Sequence, residues 1–521
     1  MIYCDFAVIG SGPSGISAAR KLAGKSIVVF DVGQETNKKF KYDTLDEAVE
    51  AKDISELLGE NLEFLHNIFY EDQKHMKLRH PNTGYAVNGE EAHFFDKNNK
   101  KIIKTAGSYA SGGMSNIWGG QLIRYTDNDF LKNPWPISLS SLNHHYDDLE
   151  NHIGISGEKD DMYDYFGESK NLIKPPPLTR SAEYLLKNYK ESKKNINELG
   201  FFLGRPRLGL NVNEKTKKLY HDLGETEFFA SGQKGLYTSK VTLDELVRKR
   251  EIQYMSGHKL LKYKERDDYV ELKFSIVPEN RTIEVKTRNL ILACGGIHTS
   301  RLVLQNNNAY SVKLNFKEHP PALIPLFIPK LFGNEIPKKS FPIQLAATQF
   351  NKQSNNMISM YYPGGMLYSD LIMDMPLPIN LSYKVLQYLM GGLLVAQIWE
   401  EPDINQKNYL SIDEFGSIVI NYCEEPHFGF IPLFLKSMRN LGVYSLMRFS
   451  KLSPPGWGFH YASTLPMKRK PEEFETFTDG RLWNSERIRV VDASVLPSLT
   501  AKNHSLTMMA NAARIAKEID K

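Results

Sequence analysis

The sequence predicts an α/β protein in which a parallel sheet is assembled from separated stretches of chain, with an α+β region on an antiparallel sheet inserted between them. Three observations carry this expectation. A strand, glycine loop, helix, strand and acid follow one another at the start of the chain, strand-and-turn segments of the same kind return far downstream, and the stretches between them differ in composition. At 521 residues the chain exceeds what one core organises, so two or more structural regions are expected.

The opening pattern is dense. Phe6-Ala-Val-Ile9 is a short apolar run, Gly10-Ser11-Gly12-Pro-Ser14-Gly15 follows at once, and Ile16 to Leu22 has small and apolar residues at helical spacing. A second apolar run, Ser26 to Phe30, ends in Asp31. In such a unit Gly10 permits the tight turn, Gly12 lets backbone approach a pyrophosphate, and Gly15 lets helix and strand pack closely. The helix N-terminus offers free N–H groups to the phosphates, and Asp31 stands where an acid accepts hydrogen bonds from a ribose diol. A bare GxGxxG is weak; here its whole context agrees. The motif does not separate FAD from NAD, but its N-terminal position and the rest of the chain decide for FAD.

Three later segments share this character. Ala110 to Gly120 is a loop too rich in glycine for a helix interior. From Glu251 to Leu304, strands are expected at Ile252–Met255, Val270–Phe274 and Leu290–Ala293, then a turn at Cys294-Gly-Gly296 and a helix near His298. At the end, the strand Ile488–Val491 leads through Asp492 and a loop to a helix over Ser505–Ile519. Residues 1–159, 235–312 and 456–521 therefore read as a Rossmann-type FAD-binding domain. Residues 160–234, Lys- and Asn-rich with Pro175-Pro-Pro177, and 313–455, apolar runs broken by prolines, read as the inserted substrate domain.

On these landmarks the chain resembles the glucose–methanol–choline (GMC) oxidoreductases, and within them the pyranose-oxidase-like branch. The motifs are the glycine loop, the Trp135-Pro-Ile137 segment leading to Tyr146, the Ala293 to Ile297 turn, and the ending Val490 to Ser494 with Asn503 to Thr507. Asn405 to Gly416 adds a less specific match. The resemblance implies that Gly112, Gly113, Ser115, Asn116, Trp118 and Gly119 lie beside the flavin and that Leu260 meets the adenine side. It places Cys294, Gly295, Asp492 and Ala493 along the cofactor, and His504 and Thr507 where the last helix aims its N-terminus at the flavin. Some relatives attach flavin through a His in the glycine loop; Ile117 stands there, so FAD is expected to be non-covalent.

The resemblance also implies the chemistry. Oxidising an alcohol needs a base for the hydroxyl proton while hydride leaves carbon for flavin N5, and a neutral His suits this near pH 7. His460 matches the family base and Asn503 its partner, with His504 as runner-up to Asn503. The expected substrate is a small alcohol or sugar; Trp118 and Trp135 are either sugar-stacking or packing residues. The electron acceptor stays open among oxygen, a quinone and a protein. The alternative is a silent flavoprotein serving as redox sensor or scaffold. A flavin hydroxylase would need a second nucleotide site, and Gly391-Gly392 is too bare to supply it.

Composition narrows the rest. A net charge of +4 with interspersed signs gives no nucleic-acid-binding face. Cys4, Cys294 and Cys423 form no CxxC pair, so no disulfide framework or metal site is expected and a reducing, cytoplasmic setting fits. The N-terminus enters a strand directly, without a signal-peptide pattern. Val385 to Ile398 is shorter than the ~20 residues of a spanning helix. Phe428 to Leu435, followed by Lys436, Arg439, Arg448 and Lys451, either packs on the substrate domain or docks peripherally on anionic lipid at the inner face of a membrane.

Overall fold

A computed structural model of the chain describes residues 2–35, 41, 50–53, 91–95, 100–104, 107–132, 135–210, 236–277, 279, 281–334, 341–349, 356–363, 371–372, 375–402, 407–422, 429–453, 456 and 458–519. Strand β1 (Ile2–Ile9), helix α1 (Pro13–Lys21) and strand β2 (Ile27–Phe30) form as the opening pattern requires, with β1 and β2 parallel. Gly10 sits at φ +102°, which only glycine adopts readily, and a Cβ there would stand 2.5 Å from the Ala293 carbonyl oxygen. A Cβ on Gly15 would stand 2.0 Å from the Gly10 oxygen, so helix and loop meet as closely as expected.

The later segments complete one seven-stranded sheet. The strand Arg281–Leu292 lies parallel to β1, Gln253–Met255 lies parallel to β2, and Ile488–Val490 lies parallel to the far end of Arg281–Leu292. The strands His258–Glu265 and Val270–Ile276 extend it antiparallel, the first of them not foreseen from the sequence. Because strand side chains alternate, Phe6, Val8, Val29 and Ile291 face a core shared with α1 and the C-terminal helix Ser505–Ile519. Ala7, Ile9, Phe30 and Leu292 face the opposite core.

A second sheet is six-stranded and antiparallel, with Ala322–Phe327, Leu393–Glu400, Asn356–Tyr361 and Ile343–Gln349 at its centre. Leu394, Ala396 and Ile398 point into a core roofed by the helices Arg180–Glu198 and Ile431–Asn440. The alternate residues Gln397 and Trp399 point the other way, toward the first sheet.

The structure refines three points of the sequence reading. Residues 313–455 do not pack as one inserted unit: Leu410, Ile412, Ile418 and Ile420 join the core that holds Phe30 and Leu292. The strand carrying Leu410 and Ile412 pairs with the one carrying Ile418 and Ile420, which in turn pairs with backbone at Glu91–Phe95, from the other expected domain. The Val385–Ile398 stretch is no single element, since Gly391 and Gly392 press against backbone oxygens of Leu331 and Ile328 and split it into a helix and a strand. Finally, Phe430, Ile431, Phe434 and Leu435 are core residues, so the apolar half of the proposed interfacial segment is packed inside; Phe428, Asn405 and Cys423 lie outside the described residues. Among the described residues no helix is long and apolar enough to cross a membrane, and no group of His, Cys, Asp and Glu could hold a metal ion.

Candidate active site

The parallel strands end on one edge of the first sheet. Gly10, Asp31, Cys294 and Asp492 each follow the last residues of such a strand, and all four line one cavity of roughly 600 Å³. Ligands of open α/β sheets bind at this carboxyl edge. The opposite wall comes from the second sheet, through Tyr361, Gln397 and Trp399.

At the glycine-loop end, Ser11 donates to Asp31 through its backbone N–H (2.9 Å) and its hydroxyl. Burial pushes the Asp31 carboxyl up to about 6, against the pull of these bonds. Ser11 Oγ also accepts from Gly112 N (2.8 Å), and a Cβ on Gly113 would stand 3.0 Å from Gly12 Cα. The two glycine loops therefore touch backbone to backbone. Ser239 ties them together, its hydroxyl donating to the carbonyls of Ser11 (3.1 Å) and Gly112 (2.8 Å).

Most residues singled out in the sequence come together here. Ser11, Gly12, Ser14, Gly113, Ser115, Trp118, Gly119, Leu260, Gly295 and Ala493 line the cavity beside the four strand-end residues. Leu260 does so at a register shift of its strand, which turns backbone toward the space. Four others stand behind the wall. Gly15 and Gly112 shape backbone, the Asn116 amide donates to the carbonyls of Ser111 and Gly113 (both 2.9 Å), and the Thr507 hydroxyl meets Tyr146 Oη at 2.8 Å. Trp135 is a packing residue: its ring stacks on Phe130 at 4.5 Å and its Nε1 donates to Ser498 (3.2 Å). Burial raises the Cys294 thiol to about 12, so it is an uncharged piece of wall.

The far end holds His460, Asn503 and His504. Glu318 and His319, neither singled out in the sequence, fix that end. The Glu318 carboxylate accepts from the N–H groups of Gly456 (2.9 Å) and Gly458 (2.5 Å) and from Tyr422 Oη (2.6 Å). Lys317 and Ala462 exchange backbone hydrogen bonds of 3.0 Å. His319 Nε2 then lies 2.7 Å from His460 Nδ1. Burial lowers the His319 imidazole to about 3, with His504 adding to this and the Glu400 backbone pulling weakly the other way, and its Nδ1 has no hydrogen-bond partner among the described residues.

The short contact can carry its hydrogen on either ring, and one of the two tautomers makes His460 a base. With hydrogen on His319 Nδ1, its Nε2 accepts from His460 Nδ1–H, and the lone pair of His460 is on Nε2. Burial, with His319 and His504 close by, holds the His460 imidazole well below its usual pKa, so it stays neutral. Burial lowers His504 to about 4, and its ring stands perpendicular to His460 at 5.0 Å. Asn503 Nδ2 donates to Gln121 Oε1 (3.3 Å), while Asn503 Oδ1, His504 Nδ1 and Gln121 Nε2 are buried without partners. Orphaned polar atoms along one cavity are what a polar ligand satisfies. Gln121 follows the glycine loop directly, a signal that could have marked it; His319 has none beyond the Pro-Pro after it.

Residues 448–512, which carry His460, Asp492 and Asn503, match the family model described as GMC oxidoreductase. This region is similar to the C-terminal part of GMC oxidoreductases. The resemblance read from the sequence is borne out at that level. No curated protein matches the chain by sequence. Among solved structures, the pyridoxine 4-oxidase of Mesorbium loti aligns over 99% of this chain and 99% of its own, at TM-score 0.63 and 13% identity. A formate oxidase variant from Aspergillus oryzae RIB40, studied for FAD modification, aligns over 100% of this chain and 98% of its own, at TM-score 0.66 and 12% identity. At such identities these structures show a shared fold.

Proposed function

We propose that the chain is an FAD-dependent oxidoreductase that oxidises an alcohol CH–OH group, with His460 as the base. The cavity suits the cofactor on two observations. Neither Gly12 nor Gly295 has any atom within 4 Å of where a Cβ would stand, which leaves room for a dinucleotide to approach the backbone. Asn503 Oδ1 and His504 Nδ1 are polar atoms lacking partners at the opposite end. In this reading the Rossmann-type segments hold the dinucleotide: the α1 N-terminus and Gly12 at the pyrophosphate, Asp31 at a ribose, Asp492 and Ala493 near the middle. FAD, when bound, would supply the acceptor for the hydride, which carries both electrons.

The chain's own residues handle the proton. His460 takes the hydroxyl proton on Nε2, while His319 keeps Nδ1–H engaged and the ring oriented. Asn503 has one amide N–H on Gln121 and a second for the substrate oxygen. Trp399, Tyr361, Gln121 and Gln397 offer aromatic faces and amides on the opposite wall, a lining suited to a polyhydroxylated or sugar-like alcohol. His460 in the cavity at the strand ends, backed by His319 behind it, is the observation that carries the proposal.

Anaerobic mixing with a panel of sugars and simple alcohols tests it. At least one should bleach the bound flavin, and His460→Ala should retain flavin yet bleach about 10²-fold more slowly. A protein whose yellow colour no alcohol changes is a silent flavoprotein, and a His460→Ala variant reduced at the wild-type rate removes the base.

A further inference from the structure

The helix Ile379–Leu389 is turned outward. Its buried residues are Ser382 and Leu386, whereas Ile379, Leu381 and Tyr388 are exposed. A second exposed group, Leu446, Met447 and Phe449, approaches the same end of the second sheet. Tyr444 exchanges backbone hydrogen bonds with Phe327 (2.7 and 2.8 Å), and the Phe449 ring lies 6.1 Å from that of Phe327. The chain continues from Phe327 into the turn where Gly333 N donates to Tyr388 O (2.8 Å). These six side chains keep between 39% and 60% of their area in solvent. Singly exposed apolar residues need no explanation; a helix presenting them while burying a serine does.

Charge says what covers this face. Residues 376–399 contain Lys384 as their one charge, and 429–453 contain Lys436, Arg439, Arg448 and Lys451 without a carboxylate. Of these cations, Lys384, Lys436, Arg439 and Arg448 are exposed. A second copy of the chain docking face to face would oppose cation to cation. Apolar side chains bordered by tyrosine and by lysine and arginine suit the boundary between acyl chains and anionic headgroups.

We propose that this face docks peripherally on a bilayer carrying anionic lipid. The expected basic–apolar segment is thereby narrowed: Phe430, Ile431, Phe434 and Leu435 belong to the core, and the contact is made by 444–449 together with the helix Ile379–Leu389. The strand Leu393–Glu400 leads from this face to Trp399 in the cavity wall, a span of roughly 20 Å at about 3.3 Å per residue.

Vesicle co-sedimentation of the full chain tests the proposal, with phosphatidylcholine alone and with phosphatidylcholine mixed with phosphatidylglycerol. Binding is expected to the mixed vesicles and to fade in high salt. A Lys384→Glu/Arg448→Glu variant and a Leu446→Asp/Met447→Asp variant, each melting like the wild type, should bind at least about fivefold more weakly. Wild type that never sediments above background overturns the proposal, as does equal binding by the variants. A wild-type dimer that the aspartate variant dissociates, with no vesicle binding, assigns the face to a second copy and overturns it too.

Discussion

Replacing His319 by leucine removes the acceptor for His460 Nδ1–H and puts an apolar side chain of similar reach in its place. The contact is short, 2.7 Å between ring nitrogens, and His319 is 3% exposed, so water does not readily substitute for the lost partner. A buried N–H left unpaired costs about 1–3 kcal/mol. If that cost falls on orienting the base, flavin reduction slows by about 5- to 150-fold, since 1.36 kcal/mol is tenfold in rate. His319→Gln places an amide oxygen within reach of the same N–H and should recover most of the rate. Stopped-flow reduction at saturating alcohol reads both variants, with flavin content and melting temperature confirming that each is folded and loaded. A leucine variant as fast as wild type refutes the tautomer assignment. So does a glutamine variant as slow as the leucine one, because mere packing damage would not distinguish them.

Burial near two other histidines depresses the His460 pKa, so its neutral, proton-accepting form persists as pH falls below the ordinary value near 6.5. The rate of flavin reduction should therefore stay on its plateau through pH 6, and a half-maximal rate at pH 6.5 or above would contradict the assignment. Lys502 and Asp129 are 2% and 3% exposed and paired at 2.5 Å behind the loop that carries Asn503. Lys502→Met strands a buried carboxylate and should cost about 3–5 kcal/mol in urea unfolding, with Asp129→Asn in the same chain restoring at least half; no recovery in the double variant would show that the pair is not the cause. Ile117 occupies the loop position at which flavin attachment was expected to fail, so acid precipitation should release all yellow colour to the supernatant, and flavin left in the pellet defeats that expectation.

The sequence by itself determined what short-range pattern encodes. Gly10 and Gly15 between two apolar runs admit one local geometry, because a positive φ at the first and a helix packed on the loop at the second exclude side chains there, while Gly12 leaves open space. The helix over Ser505–Ile519 and the strands near Val270, Leu290 and Ile488 were legible from periodicity for the same reason. His460 and Asn503 were legible because each sits in a recognisable motif near the end of the chain. Tertiary structure alone decided what those residues meet. His319 is 141 positions from His460, Gln121 is 382 from Asn503, and Trp399 faces the cavity because its strand alternates against a helix-covered core. Helix packing sent Phe430, Ile431, Phe434 and Leu435 inward and left Ile379 and Tyr388 in solvent, although both stretches are rich in apolar residues. Hydrophobic pattern fixes which face of an element is apolar; only the packing of distant segments fixes whether that face is covered, and which titratable groups burial then holds neutral.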